Sequence, residues 1–125
     1  MAPLLLSVVE SPTHPDCSEL YRALGYRHTV VPSVRKAIAA LRREPPAVVV
    51  AEFFYGYGNN YAGVNLGNLD VLLASLERYA PGARTIAMVD KEEQAYAERL
   101  AARYPLHALL VHPVTAREIR PWLGP

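Results

Sequence analysis

The chain has 125 residues with 13 basic and 12 acidic side chains, a formal net charge of +1 and 51% hydrophobic residues. That length suits one domain with a single core, and the apolar share excludes a disordered tail. The charge balance gives no electrostatic basis for binding nucleic acid or an anionic membrane, and the lone Cys17 cannot close an internal disulfide, which points to a reducing, cytoplasmic setting. Residues 1–9 are apolar but lack a basic n-region and are too short to span a bilayer, so they read as a first buried strand.

The elements then alternate. Residues 4–9 form the first predicted strand, followed by Ser11-Pro12-Thr13-His14-Pro15, which cannot be regular helix. Asp16 with Glu19 makes a capping-box pattern for a short helix, Leu20, Tyr21 and Leu24 share one face, and Gly25 ends it. Cys17 falls in this helix and reads as a packing residue. His28 is expected in a turn, and residues 29–31 form a brief second strand. Ser33 caps a second helix with Val34, Ala37, Ile38 and Leu41 as its apolar stripe; Arg35, Lys36, Arg42 and Arg43 lie off that stripe and read as a solvated face. Glu44-Pro45-Pro46 stops it.

Residues 47–51 are an uninterrupted apolar run, the pattern of a strand buried on both faces. Asn68 is the expected cap of a third helix carrying Leu69, Leu72, Leu73 and Leu76, which Ala80-Pro81-Gly82 ends. Residues 85–89 are the fourth strand and 91–104 the fourth helix, with Tyr96, Leu100 and Tyr104 at four-residue spacing, a stripe that reads as core or a partner-facing edge and not as a cofactor box. Residues 107–111 are the fifth strand, and 115–123 a last helix that Pro121 could shorten. Five strands alternating with five helices imply one α/β domain over residues 1–125, a doubly wound parallel sheet with helices on both faces.

The strand ends carry the chemistry. Glu10, Glu52, Asp90 and His112 follow four of the apolar runs, and in an open parallel sheet those ends share the ligand-binding edge. Three acids and a histidine are therefore expected to meet in one crevice.

At this point the sequence resembles the receiver domain of bacterial two-component response regulators, over residues 4–123. Val8-Val9-Glu10-Ser11 with Pro12 matches the first strand and its acidic end. Leu24-Gly25-Tyr26 matches the turn into the second strand, residues 47–52 the third strand with its terminal acid, and His112-Pro113 the Lys-Pro position after the fifth. The resemblance implies a flavodoxin-like fold with strand order 2-1-3-4-5.

It also sets out departures. The family holds Mg²⁺ with an acidic pair, accepts phosphate on an Asp, senses it with a Ser or Thr and pairs it with a Lys. Those positions here hold Glu10-Ser11, Glu52, Asp90 and His112, and the aromatic switch position holds Leu109. The Glu52 carboxylate is one methylene further out than the family's Asp, against in-line attack geometry. It also imitates a phosphorylated Asp by carrying fixed charge into the pocket. The expected cluster Glu10, Ser11, Glu52, Asp90, His112 and Pro113 is thus a degenerate phosphoacceptor pocket. Its bland form is an ion-pair network of Glu52, Asp90 and His112; His14 and His107 add little to it. No cofactor is expected; Glu10 and Glu52 are the weak metal candidates, their carboxylates suiting Mg²⁺ or Mn²⁺, while an added imidazole would favour a transition metal.

A second departure is FFYGYGNNYAGVNLG, a Tyr/Gly/Asn-rich loop over about residues 53–67 that is longer than the family's. Its glycines do not make a phosphate loop; its tyrosines and asparagines have the chemistry of recognition loops, and equally suit a passive insertion that folds over the crevice and packs its rings on the surface. Tyr55, Tyr57, Asn59, Asn60 and Tyr61, together with Tyr96, Leu100, Tyr104 and Leu109, are the partner-binding candidates, the latter group compatible with a homodimer. No output domain follows in the 125 residues, so the output is expected to belong to another protein. The reading is a phosphorylation-independent interaction module in signalling or transcription control, not an enzyme. The alternative is a small metal- or ligand-binding protein or enzyme using the Glu10/Glu52/Asp90/His112 crevice.

Overall fold

The computed structural model describes residues 2–56 and 66–124. Five strands, β1 (Leu4–Val8), β2 (Arg27–Val31), β3 (Val48–Glu52), β4 (Arg84–Val89) and β5 (Ala108–Val111), form one parallel sheet in the order β2-β1-β3-β4-β5. Helices α1 (Ser18–Ala23), α2 (Val34–Arg43), α3 (Leu69–Tyr79), α4 (Gln94–Arg103) and α5 (Ala116–Ile119) cross between or follow the strands.

Both faces of the sheet are covered, as the unbroken apolar runs require. Every residue of β1 and β3 is buried. Because strand side chains alternate in direction, Leu6, Val8, Val49 and Ala51 join α2, α3 and α4 in one core, while Leu5, Val48 and Val50 pack with Tyr21 of α1 and Ile119 of α5 in the other. Glu52 is in phase with Val48 and Val50, and it sits at the C-terminal edge of the sheet.

Several local details differ from the sequence reading. Asp16 does start α1, but through an Asx-type contact in which its Oδ1 accepts from the N–H and hydroxyl of Ser18; Cys17 occupies the cap position and is buried. His28 lies in β2, where its ring meets the Ser7 hydroxyl at 2.8 Å and packs edge-on to Tyr21. A turn of 3-10 helix over Lys91–Glu93 precedes α4, so the fourth helix starts later than its periodicity predicts. Thr115 and Glu118 form a capping box for α5, which then tightens into a 3-10 turn containing Pro121. Gly25 takes φ +91° as α1 ends, a conformation open to glycine at little cost.

Candidate functional site

The site is built where β1 and β3 end. The Glu52 side chain has no exposed surface, and a carboxylate so placed persists only when its oxygens are hydrogen-bonded. Here they are. Its Oε2 accepts the N–H of Glu10 at 2.8 Å, the N–H of Ser11 at 3.2 Å and Nδ1 of His14 at 3.0 Å. The Ser11 hydroxyl donates to Oε1 and accepts from the Thr13 hydroxyl at 2.7 Å. Burial pushes Glu52 up, but the donors from His14, Ser11 and Glu10 outweigh it and hold the carboxyl below its ordinary value. An ionised carboxylate only accepts, so Nδ1 of His14 carries the hydrogen.

Asn68 ties this knot to α3. One side-chain N–H donates to Glu10 Oε1 at 2.9 Å, the other to the Glu52 carbonyl at 2.7 Å, and its Oδ1 accepts the Phe54 N–H at 2.7 Å. Asn68 stands at the start of α3 as expected, but its side chain makes no cap. The helix entry is held instead by Asp70, whose Oδ1 accepts the N–H groups of Leu66 (3.0 Å) and Gly67 (2.8 Å). Burial pushes Glu10 above its ordinary value; the Asn68 amide opposes that shift and the Glu52 charge reinforces it.

The other half of the predicted cluster is not joined to this network. Asp90 is exposed at the end of β4, and among the described residues only its carbonyl is engaged, by the Glu93 N–H at 2.9 Å. His112 donates its backbone N–H to Val89 at 2.9 Å, while its ring Nδ1 is buried without a hydrogen-bond partner; the peptide to exposed Pro113 is cis. The expected Glu52–Asp90–His112 ion-pair network is therefore replaced by Glu52–His14. Sequence reasoning set His14 aside as a loop residue. The signal available was its place between Pro12 and Pro15, which stiffen the segment that folds back over β1.

The donor set does not fit Mg²⁺, which requires several oxygen ligands near octahedral geometry. Both Glu52 oxygens face N–H or O–H donors, the Ser11 hydroxyl is committed, and an Asn68 N–H points at Glu10. Among the described residues, no group of three or more His, Cys, Asp or Glu side chains is placed to hold a metal.

The base of the Tyr-rich loop is described and its tip is not: Tyr57, Asn59, Asn60 and Tyr61 lie outside the described residues. Tyr55 bridges Gly67 across the base, and the Gly56 N–H donates to Leu66 at 2.8 Å. The Tyr55 N–H also donates to Glu93 at 3.0 Å, and its ring stacks on Tyr96 with centroids 3.6 Å apart. A Cβ at Gly67 would overlap the Phe54 carbonyl, so glycine is required there. Tyr55 is exposed and Tyr96 half-buried, together forming an aromatic patch. The remaining candidates divide. Leu100 is fully buried and belongs to the core, not to a partner surface, because α4 turns that side of its stripe onto β4 and β5. Tyr104 and Leu109 are half-buried at the edge of the same core.

No protein-family model matches the sequence, and no curated protein matches it. Solved structures do. The receiver domain of a sensor histidine kinase from Pseudomonas aeruginosa, with a magnesium ion coordinated in its active-site cleft, is 18% identical, with a TM-score of 0.68 over 98% of this chain and 95% of that one. The receiver domain of AraT, a response regulator from Geobacillus stearothermophilus, is 13% identical with a TM-score of 0.72 over 98% and 91%. An adenylate cyclase from Rhodopirellula baltica is likewise 13% identical, with a TM-score of 0.73 over 98% and 85%.

Proposed function

We propose that this chain, which has the response-regulator receiver fold with strand order 2-1-3-4-5, is a signalling module that works by binding another protein and does not depend on phosphorylation, cofactor or catalysis. The observation that carries the reading is the state of Glu52. Its carboxylate has no exposed surface and both oxygens are engaged, by Glu10, Ser11 and His14, so neither is presented to a phosphodonor. The absence of a fitting Mg²⁺ donor set supports the same reading, as that cation would have to neutralise the incoming phosphoryl group.

The Tyr55–Tyr96 patch and the edge formed by Tyr104 and Leu109 supply surface for a protein partner or a second copy of the chain. No helix of the described residues is long and apolar enough to cross a membrane, and the reading places the module in the cytoplasm. Calorimetric titration of metal-free protein with Mg²⁺, Mn²⁺ and Zn²⁺ tests it. The expected result is no saturable heat. Tight binding that disappears in Glu10→Gln would make the crevice a live metal site and overturn the proposal.

A further inference from the structure

We propose that the groove between α2 and α3 docks an acidic, amphipathic helix of a partner protein. This names the partner chemistry of the interaction module and rests on that reading. The sequence shows the charge half of the argument. Helix α2 carries Arg35, Lys36, Arg42 and Arg43 and no acid, and of these Arg42 lines the groove, across from Arg78 of α3. The nearest acid in sequence, Glu44, is engaged by Arg27 of β2.

The structure supplies the shape. On α3, Leu69, Leu72, Leu73 and Leu76 face the core, and Val71, Ala74, Ser75 and Arg78 recur at i, i+3, i+4 and i+7 on another face. That second stripe lines a groove of about 420 Å³, whose α2 wall is formed by Ile38 and Arg42. Val71 is 50% exposed there, the largest such apolar exposure on α3. Small side chains at Ala74 and Ser75 let a partner helix come close, as interaxial distances of about 8–10 Å demand.

One end of the groove is cationic and already ordered. The guanidinium groups of Arg42 and Arg78 lie 5.2 Å and 5.3 Å from the Tyr79 ring centroid, and Arg42 also donates to the Tyr79 hydroxyl at 3.2 Å. Cations held in place lose less freedom on binding a carboxylate. The one acid lining the groove, Asp70, is buried; its Oδ1 accepts the N–H groups of Leu66 and Gly67 and its Oδ2 lies 3.8 Å from Arg103, so it is paired with neither Arg42 nor Arg78. The complementary ligand is a helix with aliphatic residues over Val71 and Ile38 and Asp or Glu about two turns on, at Arg42 and Arg78. Nucleic acid fits less well: it would leave the apolar floor unused, and the Tyr79 ring already carries two guanidiniums in place of a base.

The test is selection from a displayed library of helical peptides randomised along one face, using the full chain as bait. Enriched peptides are then measured by fluorescence anisotropy against the wild type, the Arg42→Glu/Arg78→Glu double variant and Val71→Asp, with thermal melts to show that each variant is folded. The proposal expects enriched peptides to combine aliphatic and acidic positions, and to bind both variants roughly tenfold more weakly or worse. Enrichment of peptides without acids, equal affinity for the variants, no enrichment at all, or tighter binding of a 12-nucleotide single strand through the same arginines would each overturn it. Repeating the assay after acetyl phosphate treatment separates the two readings. A change in affinity there would contradict phosphorylation independence, whereas the groove stands or falls on the variants.

Discussion

Glu52 and Asp90 are both acids ending neighbouring strands of one sheet, yet they have opposite surroundings. The register pairs Glu52 with Met88, which puts Asp90 only two residues further along β4. That stagger is enough to place one carboxylate inside the loop that leaves β1 and the other in solvent. On the β1–β3 side, both Glu52 oxygens have partners, and the network fastens residues 10–14 and the start of α3 to the sheet. On the β4–β5 side, among the described residues, Asp90 has no side-chain partner and His112 keeps a buried nitrogen unsatisfied. The comparison teaches that the two halves of one ligand edge can differ: beside the central strand the carboxylate is tied into a hydrogen-bonded network, and beside β4 it is left in solvent.

The sharpest way to break this comparison is to remove the central carboxylate. Glu52→Ala leaves the donors of Glu10, Ser11 and His14 pointing into a dry space, and urea denaturation should show a loss of about 3–5 kcal/mol. Asn68→Ala removes the amide that joins the Glu10 carboxylate, the Glu52 carbonyl and the Phe54 N–H, with an expected cost of about 2–3 kcal/mol by the same assay. Gly67→Ala forces a methyl against the Phe54 carbonyl, and overpacking of that kind costs about 1–3 kcal/mol. Asp90→Ala should stay within about 0.5 kcal/mol of the wild type, as expected for an exposed side chain without partners. A loss at Asp90 comparable to that at Glu52 would erase the contrast.

The pH dependence sharpens the comparison further, because the two glutamates of the network act with opposite sign. Glu52 is held below its ordinary value, so its stabilisation is complete above that value and is lost as pH falls through the lowered one. Glu10 is held above its ordinary value, so its contribution is complete at low pH and is lost as pH rises through the raised one. Glu10→Gln should therefore gain stability relative to the wild type near neutral pH, with the gain shrinking toward acid. Thermal melts across that range read both effects.

How much of this was legible in the sequence depends on which force set each feature. The parallel sheet followed from apolar runs without alternation, because burial on both faces leaves little freedom in the pattern, and its strand order followed from the receiver resemblance alone. The positions of Glu10, Ser11 and Glu52 at one edge were legible for the same reason. Their partners were not. His14, Asn68 and Asp70 act through side-chain directions that depend on how two loops fold back, and a residue that looks like a helix cap, as Asn68 does, can spend its hydrogen bonds on a neighbouring strand instead. Four-residue spacing along α4 left the Tyr96/Leu100/Tyr104 stripe open between core and partner surface; the middle residue, Leu100, belongs to the core, and the two tyrosines sit half-buried at its edge.

The account's central claim is that Glu52 is a sealed structural carboxylate and not a phosphoacceptor. The most direct test is to incubate the full chain with acetyl phosphate and Mg²⁺, then measure intact mass and map any adduct by peptide fragmentation, beside a receiver domain known to be labelled. The account predicts no phosphorylated species while the control is modified. A phosphoryl group located on Glu52 would contradict it.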